Sequence, residues 1–179
     1  MNFDNIVNFW FQELSPKDWF QVDPNLDLKM KNDFAHLVES ASRCELFHWR
    51  RSPKGRLAEI LVLDQFSRNI YRGTPRAFAQ DNLALALAQE AVSLKIDQSL
   101  DNREKKFIYM PYMHSESLLI HEEAVRIFSQ PGLEDSLSFE LKHKVIIERF
   151  HRYPHRNKIL NRTSTPEEIS FLMEPDSSF

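Results

Sequence analysis

Glycine is nearly missing from this 179-residue chain: only Gly55, Gly73 and Gly132 occur, and each falls between segments with helical patterning. Tight hairpin turns draw on glycine for positive φ, so they are scarce here and a β-rich fold is excluded. The same scarcity removes any glycine-rich phosphate cradle, and neither a Walker loop nor a GxSxG elbow is present. Cysteine is limited to Cys44, which rules out an intrachain disulfide, a CxxC redox motif and a zinc ribbon, and fits a reducing compartment. A lone cysteine ordinarily packs as a small hydrophobe, so Cys44 is expected to be buried and inert. No apolar run reaches the length of a membrane span, and the N-terminus lacks a basic stretch leading into an apolar core. Neither sign of charge dominates: Lys and Arg number 23, Asp and Glu 26, for a net charge of -3. Composition therefore indicates a cytoplasmic protein with no nucleic-acid and no membrane partner, in which any basic site must be local.

What the chain does contain is helical periodicity. Asp4 to Leu14 reads as a first helix ended by Ser15-Pro16, because a residue preceding proline is pushed out of helical geometry. Leu26, Met30, Phe34, Leu37, Val38 and Ala41 repeat at spacings of three and four. Ser52-Pro53 caps a third helix whose apolar run, Leu57 to Ile70, covers so much of its circumference that it is expected to be central. Thr74-Pro75 opens the next segment, with recapping at Asp81. Residues 102–130 are expected as two helical stretches interrupted at Pro111, with a kink or break near Met110. A helix from about Asp135 to Arg152 should turn Leu141, Val145, Ile146 and Phe150 inward. Thr165-Pro166-Glu167-Glu168 is a capping box that starts the last helix. Together these give one all-α domain over residues 1–179, a helical bundle or solenoid of about seven to nine helices.

Three polar segments carry candidate chemistry. In Asp64-Gln65-Phe66-Ser67-Arg68-Asn69-Ile70-Tyr71-Arg72, Asp64 and Arg68 share a helix face, as do Gln65 and Asn69. Arg68, Arg72 and Arg76 follow with no acid before Asp81, a stretch suited to a carboxylate or phosphate, although an internal ion pair or solvated arginines serve equally. In Tyr109-Met110-Pro111-Tyr112-Met113-His114-Ser115-Glu116, a histidine stands beside a hydroxyl and a carboxylate; the plainer reading has Ser115 capping the next helix and Glu116 on its dipole. In Arg149-Phe150-His151-Arg152-Tyr153-Pro154-His155-Arg156-Asn157, cations follow the end of a helix. His151 and His155 would make a metal pair only on an unbroken helix, which Pro154 prevents. His121 and Glu122 with His114 and Glu116 match no standard metal-ligand spacing, and a metal site built from His114, Glu116 and His155 ranks below the other readings, so no metal and no cofactor are indicated.

Phe9-Trp10-Phe11, the run from Leu63 to Thr74, the run from Tyr109 to Glu116, the run from Arg149 to Asn157, and Ser164 to Glu168 together resemble the bacterial family known as domain of unknown function 924. The likeness spans nearly the whole chain. It implies an all-α fold of the tetratricopeptide-repeat-like superhelical class, and it implies no reaction. Four positions depart from the family's habit: Ser67 stands for proline, His121 for glutamine, and His151 and Asn161 for glycine. Asparagine tolerates left-handed geometry, so Asn161 is the mild change.

The leading expectation is that Asp64, Gln65, Arg68, Asn69 and Arg72 of the first segment, His114 and Glu116 of the second, and Arg149, His155, Arg156 and Asn157 of the third converge on one groove. That groove would bind an anionic small molecule or a peptide carboxylate. The arginines would hold the anion while Asp64 or Glu116 orients His114, the first choice as general acid or base. The rival is a noncatalytic helical scaffold for a protein or peptide. Exposed aromatic residues among the 14 phenylalanines suit a homodimer.

Overall fold

The computed structural model describes residues 2–175 and Ser177. Among them the regular elements are helical, with no strand. The chain divides into two compact units, one of Met1–Arg72 with Arg76–Pro111, the other of Gly73–Pro75 with Tyr112–Phe179.

Unit one begins with α1 (Phe3–Asn8), which continues without a break as a π-helical turn over Phe9–Glu13. Then come α2 (Pro24–Ser42), α3 (Pro53–Leu61), a second π-helical turn over Val62–Phe66, α4 (Ser67–Ile70) and α5 (Asp81–Ser93). Asp23 caps α2 by accepting from the amides of Asn25 and Leu26, and Ser52 caps α3 by accepting from Gly55 at 3.0 Å. The expected central helix is confirmed: Leu57 to Ser67 are all buried. Its Phe66 meets Phe34 of α2 at 5.2 Å and Trp10 at 5.6 Å, and Trp10 meets Phe107 edge-on at 5.6 Å. Such tilted and T-shaped pairs align ring edges with ring faces.

The helix α6 (Asn102–Met113) continues through Pro111 and ends three residues beyond Met110, where a kink or break is expected. Proline withdraws one backbone donor, yet the helix persists to Met113, so the polar segment after it starts at His114. Unit two continues with α7 (Leu118–Phe128), α8 (Glu134–Phe150), a 3-10 turn over Pro154–Arg156 and α9 (Pro166–Phe171). Here α7 packs on α8, and Ile146, Ile147, Tyr153 and Phe171 form the core. The inward face expected of α8 is corrected: Ile146 is buried and Phe150 partly so, but Leu141 and Val145 are exposed. The capping box on α9 is present, with Thr165 and Glu168 each accepting from the other's amide.

Cys44 also differs from expectation. It is exposed, because it sits with φ 59° in the turn that leaves α2. His151 (φ 55°) and Asn161 (φ 53°) are left-handed too, and these are the two positions at which the family resemblance implies glycine. His151 ends α8, its amide bonded to the Ile147 carbonyl at 2.9 Å, in the geometry that glycine adopts without a Cβ penalty. His151→Gly should therefore raise unfolding stability by about 1 kcal/mol, read by urea denaturation. Gly55→Ala should do the opposite, because a Cβ there would overlap the Trp49 carbonyl. A loss of about 1–3 kcal/mol is expected on the same scale.

Candidate functional site

In unit one the π-helical turn over Val62–Phe66 carries Asp64 and Gln65, both buried. A π turn is a frequent device for aiming side chains. Asp64 Oδ1 accepts from Arg68 Nη1 at 2.8 Å, and Gln65 Nε2 donates to Asp64 Oδ2 at 2.5 Å. Arg68 also grips Asp81 with a two-pronged contact at 2.9 and 3.0 Å. Asn69 and Arg72 both donate to Asp27 of α2, Arg72 at 2.6 and 3.0 Å. Arg76 pairs with Glu39, which also accepts from Tyr71 at 2.9 Å. The acid-free stretch after Asp64 is thus matched by acids from elsewhere in the same unit. That is the planar recognition arginine is built for.

In unit two a second arrangement starts where α6 stops. A helix end leaves carbonyls without amide partners, and three consecutive ones are taken by side chains. Tyr153 donates to the Met113 carbonyl, Arg156 donates to that of His114 at 3.1 Å, and His121 Nε2 lies 2.8 Å from that of Ser115. His121 Nδ1 meets Glu140 Oε1 at 2.7 Å, with both side chains completely buried. The Tyr153 ring is a hub. Beside it lie the rings of His121, His143 and His155, with centroids 6.3, 5.8 and 5.5 Å away, while the Arg156 guanidinium lies over it at 4.5 Å. Arg156 is only 6% exposed, whereas His114 and His155 are half-buried.

Glu116 does not sit on the α7 dipole. It accepts from Arg162 at 2.7 and 2.9 Å and from the Tyr153 amide at 2.8 Å. Burial pushes its carboxyl up, but Arg162 and the amide outweigh this and leave it below the usual range. Ser115 does not cap α7 either; Ser117 holds that position, and Ser115 Oγ accepts its amide at 3.2 Å. Asn157 donates to Ser164 at 3.1 Å and Glu168 at 3.2 Å and accepts from Arg162 at 2.9 Å. Arg149 pairs at the surface with Glu167 at 3.0 Å. Among the described residues, no group of three or more His, Cys, Asp or Glu is placed to hold a metal ion.

So His114, Glu116, His155, Arg156 and Asn157 come together in unit two, while Asp64, Gln65, Arg68, Asn69 and Arg72 form the aspartate-bound network of unit one. Sequence reading did not include Glu140, His143, Tyr153 or Arg162 among the site residues, nor give His121 a role. Glu140 and His121 lie 19 residues apart on different helices, so no local spacing announces them.

An all-helical chain with a bacterial-family motif set and no strand among its described residues defines the class. The chain belongs to the bacterial family of proteins of unknown function DUF924, whose model matches residues 6–176. It is similar to the solved structure of a protein of unknown function, ATU0120, from Agrobacterium tumefaciens, with 36% identity, 96% of each chain covered and a TM-score of 0.90. Among curated proteins there is no match. No helix among the described residues is long and apolar enough to cross a membrane.

His143 and Glu168 both contribute to the acid response of unit two. Burial pulls the His143 imidazole from 6.5 down to about 3, so it stays neutral when folded but takes a proton when unfolded below pH 6.5. Its contribution is intact above 6.5 and is lost as pH falls toward 3. Arg152, bonded at 2.6 and 2.8 Å, holds Glu168 at about 2, a stabilisation lost between 4.5 and 2. His143→Leu should remove the first window: between pH 6 and pH 5, wild type should lose up to about 1.4 kcal/mol more stability than the variant. Urea midpoints at the two pH values measure this.

Proposed function

We propose that the chain binds an anionic small molecule or a peptide carboxylate at the Arg156 cluster of unit two. The observation that carries this reading is a guanidinium buried to 6% exposure with half-buried His114 and His155 in the same cluster. Burying a cation is costly unless opposite charge or hydrogen bonds compensate. The ring of Tyr153 beneath the guanidinium and the His114 carbonyl beside it preserve its charge. A ligand carboxylate or phosphate would accept from this guanidinium, and His114 or His155 would supply a further N–H. His114, solvent-reachable on the linker after α6, is the group placed to move a proton if the ligand reacts. Glu116 and Asn157 serve as the frame of this site, with Arg149 outside it in a surface ion pair with Glu167. Asp64, Gln65, Arg68, Asn69 and Arg72 act as the ion-paired frame of unit one.

The second reading is a noncatalytic peptide scaffold of the tetratricopeptide-repeat-like kind, with a homodimer as one use of it. It draws on the exposed apolar residues Phe139, Leu141 and Val145 of α8. Both readings fit a cytoplasmic protein.

Thermal unfolding with inorganic phosphate, citrate and succinate separates them. At about a hundred times its dissociation constant a true ligand adds about 2.7 kcal/mol, and the melting temperature rises. Arg156→Gln should abolish that rise and Arg156→Lys should weaken it. A rise that survives Arg156→Gln removes Arg156 from the site, and no rise with any of the three favours the scaffold.

A further inference from the structure

His121 Nε2 faces the Ser115 carbonyl oxygen at 2.8 Å. A carbonyl has no proton to give, so Nε2 carries the hydrogen. That assignment decides the other side of the ring. A bare Nδ1 lone pair 2.7 Å from an ionised Glu140 oxygen would be repulsive, so one proton lies between them. It belongs to an imidazolium facing a carboxylate or to a carboxylic acid facing a neutral imidazole, and the pair shares it in either form. Burial pushes the Glu140 carboxyl up, which keeps that proton in place. Glu140 Oε2 is buried with no hydrogen-bond partner. A pair meant only to fill space would be better made of apolar side chains, which often replace buried ion pairs without loss. What this pair adds is direction.

The direction leads to His114. Its own carbonyl is held by Arg156, and the carbonyls on either side of it are held by Tyr153 and His121. Tyr153 OH lies 3.2 Å from the same His121 Nε2, so two of the three anchors meet at one imidazole. We propose that Glu140 and His121 are positioning residues for the Arg156 site: Glu140 fixes His121 with Nε2 protonated, and that N–H fixes the linker that delivers His114. This rests on the anion-site reading above. Carboxylate–histidine pairs orient working groups in metal sites and hydrolytic triads in the same way.

The test uses the whole chain with isotope-labelled histidine nitrogens, read by NMR. His121 should show a protonated Nε2. In Glu140→Gln, whose amide still donates to Nδ1, the His114 ring signals should be unchanged and affinity for inorganic phosphate should stay within about twofold. In Glu140→Leu, the proton shared at His121 Nδ1 should be lost, the His114 signals should narrow toward those of a mobile ring, and phosphate affinity should fall about tenfold. Should Glu140→Leu not fold, His121→Phe keeps ring volume without a donor and carries the same expectation for His114 and phosphate. A bare Nε2 in wild type, or His114 signals unmoved in Glu140→Leu or His121→Phe, overturns the assignment. If wild type binds no phosphate, the anion-site reading fails alone, because the ligand-free His114 signals still decide whether the pair positions it.

Discussion

Three consecutive peptide carbonyls, that of Met113 at the end of α6 and those of His114 and Ser115 in the linker beyond it, are met by side chains, and unit two is organised around satisfying them. A buried carbonyl without a donor costs about 1–3 kcal/mol, so the donors must be rigid and must come from elsewhere in the fold. They are a phenol, a guanidinium and an imidazole, contributed by Tyr153, Arg156 and His121. Each donor then needs its own support. Glu140 braces His121, and Glu116 accepts the Tyr153 amide while Arg162 grips Glu116. Asn157 ties Arg162 to Glu168 at the start of α9. One helix end thus propagates through polar contacts to the other elements of the unit.

Unit one solves a similar problem with charge. Its central helix buries Asp64 beside Arg68, and the desolvation this imposes is offset by multiplying partners: Arg68 serves Asp64 and Asp81 together. Glu59, completely buried, is met by Arg50 at 2.7 and 2.8 Å. Breaking one side of such pairs strands a charge, which is far more damaging than never having had the pair. Both networks are therefore intolerant of single charge removals.

The fold was largely legible because helix punctuation is local. Ser52-Pro53 and Thr165 to Glu168 are signals written within a few residues, and the central apolar run from Leu57 to Ile70 repeats at helical spacing. Legibility failed where a distant contact overrode a local rule. Pro111 did not break α6, and Leu141 and Val145 face outward although their spacing matches a buried face. Arg68, Arg72 and Arg76 looked unaccompanied because their acids, Asp27, Glu39 and Asp81, lie outside the stretch. The candidate site was half legible. His114, His155 and Arg156 stood out by type, but Glu140 and His121 are joined only by the packing of α8 on α7, and nothing short-range encodes that meeting.

The π-helical turn at Val62–Phe66 makes reading frame along the helix a structural variable in its own right. A π turn holds one residue more than an α turn in the same axial span. Drawing that turn into α geometry with all five of its residues kept would leave the helix intact and every side chain chemically unchanged. It would nonetheless rotate everything beyond it by about 100°, carrying Arg68 off Asp81 and Arg72 off Asp27. The π geometry between Leu61 and Ser67 is thus what aims Arg68 and Arg72 at their acids, a contribution that no single side chain of the turn carries.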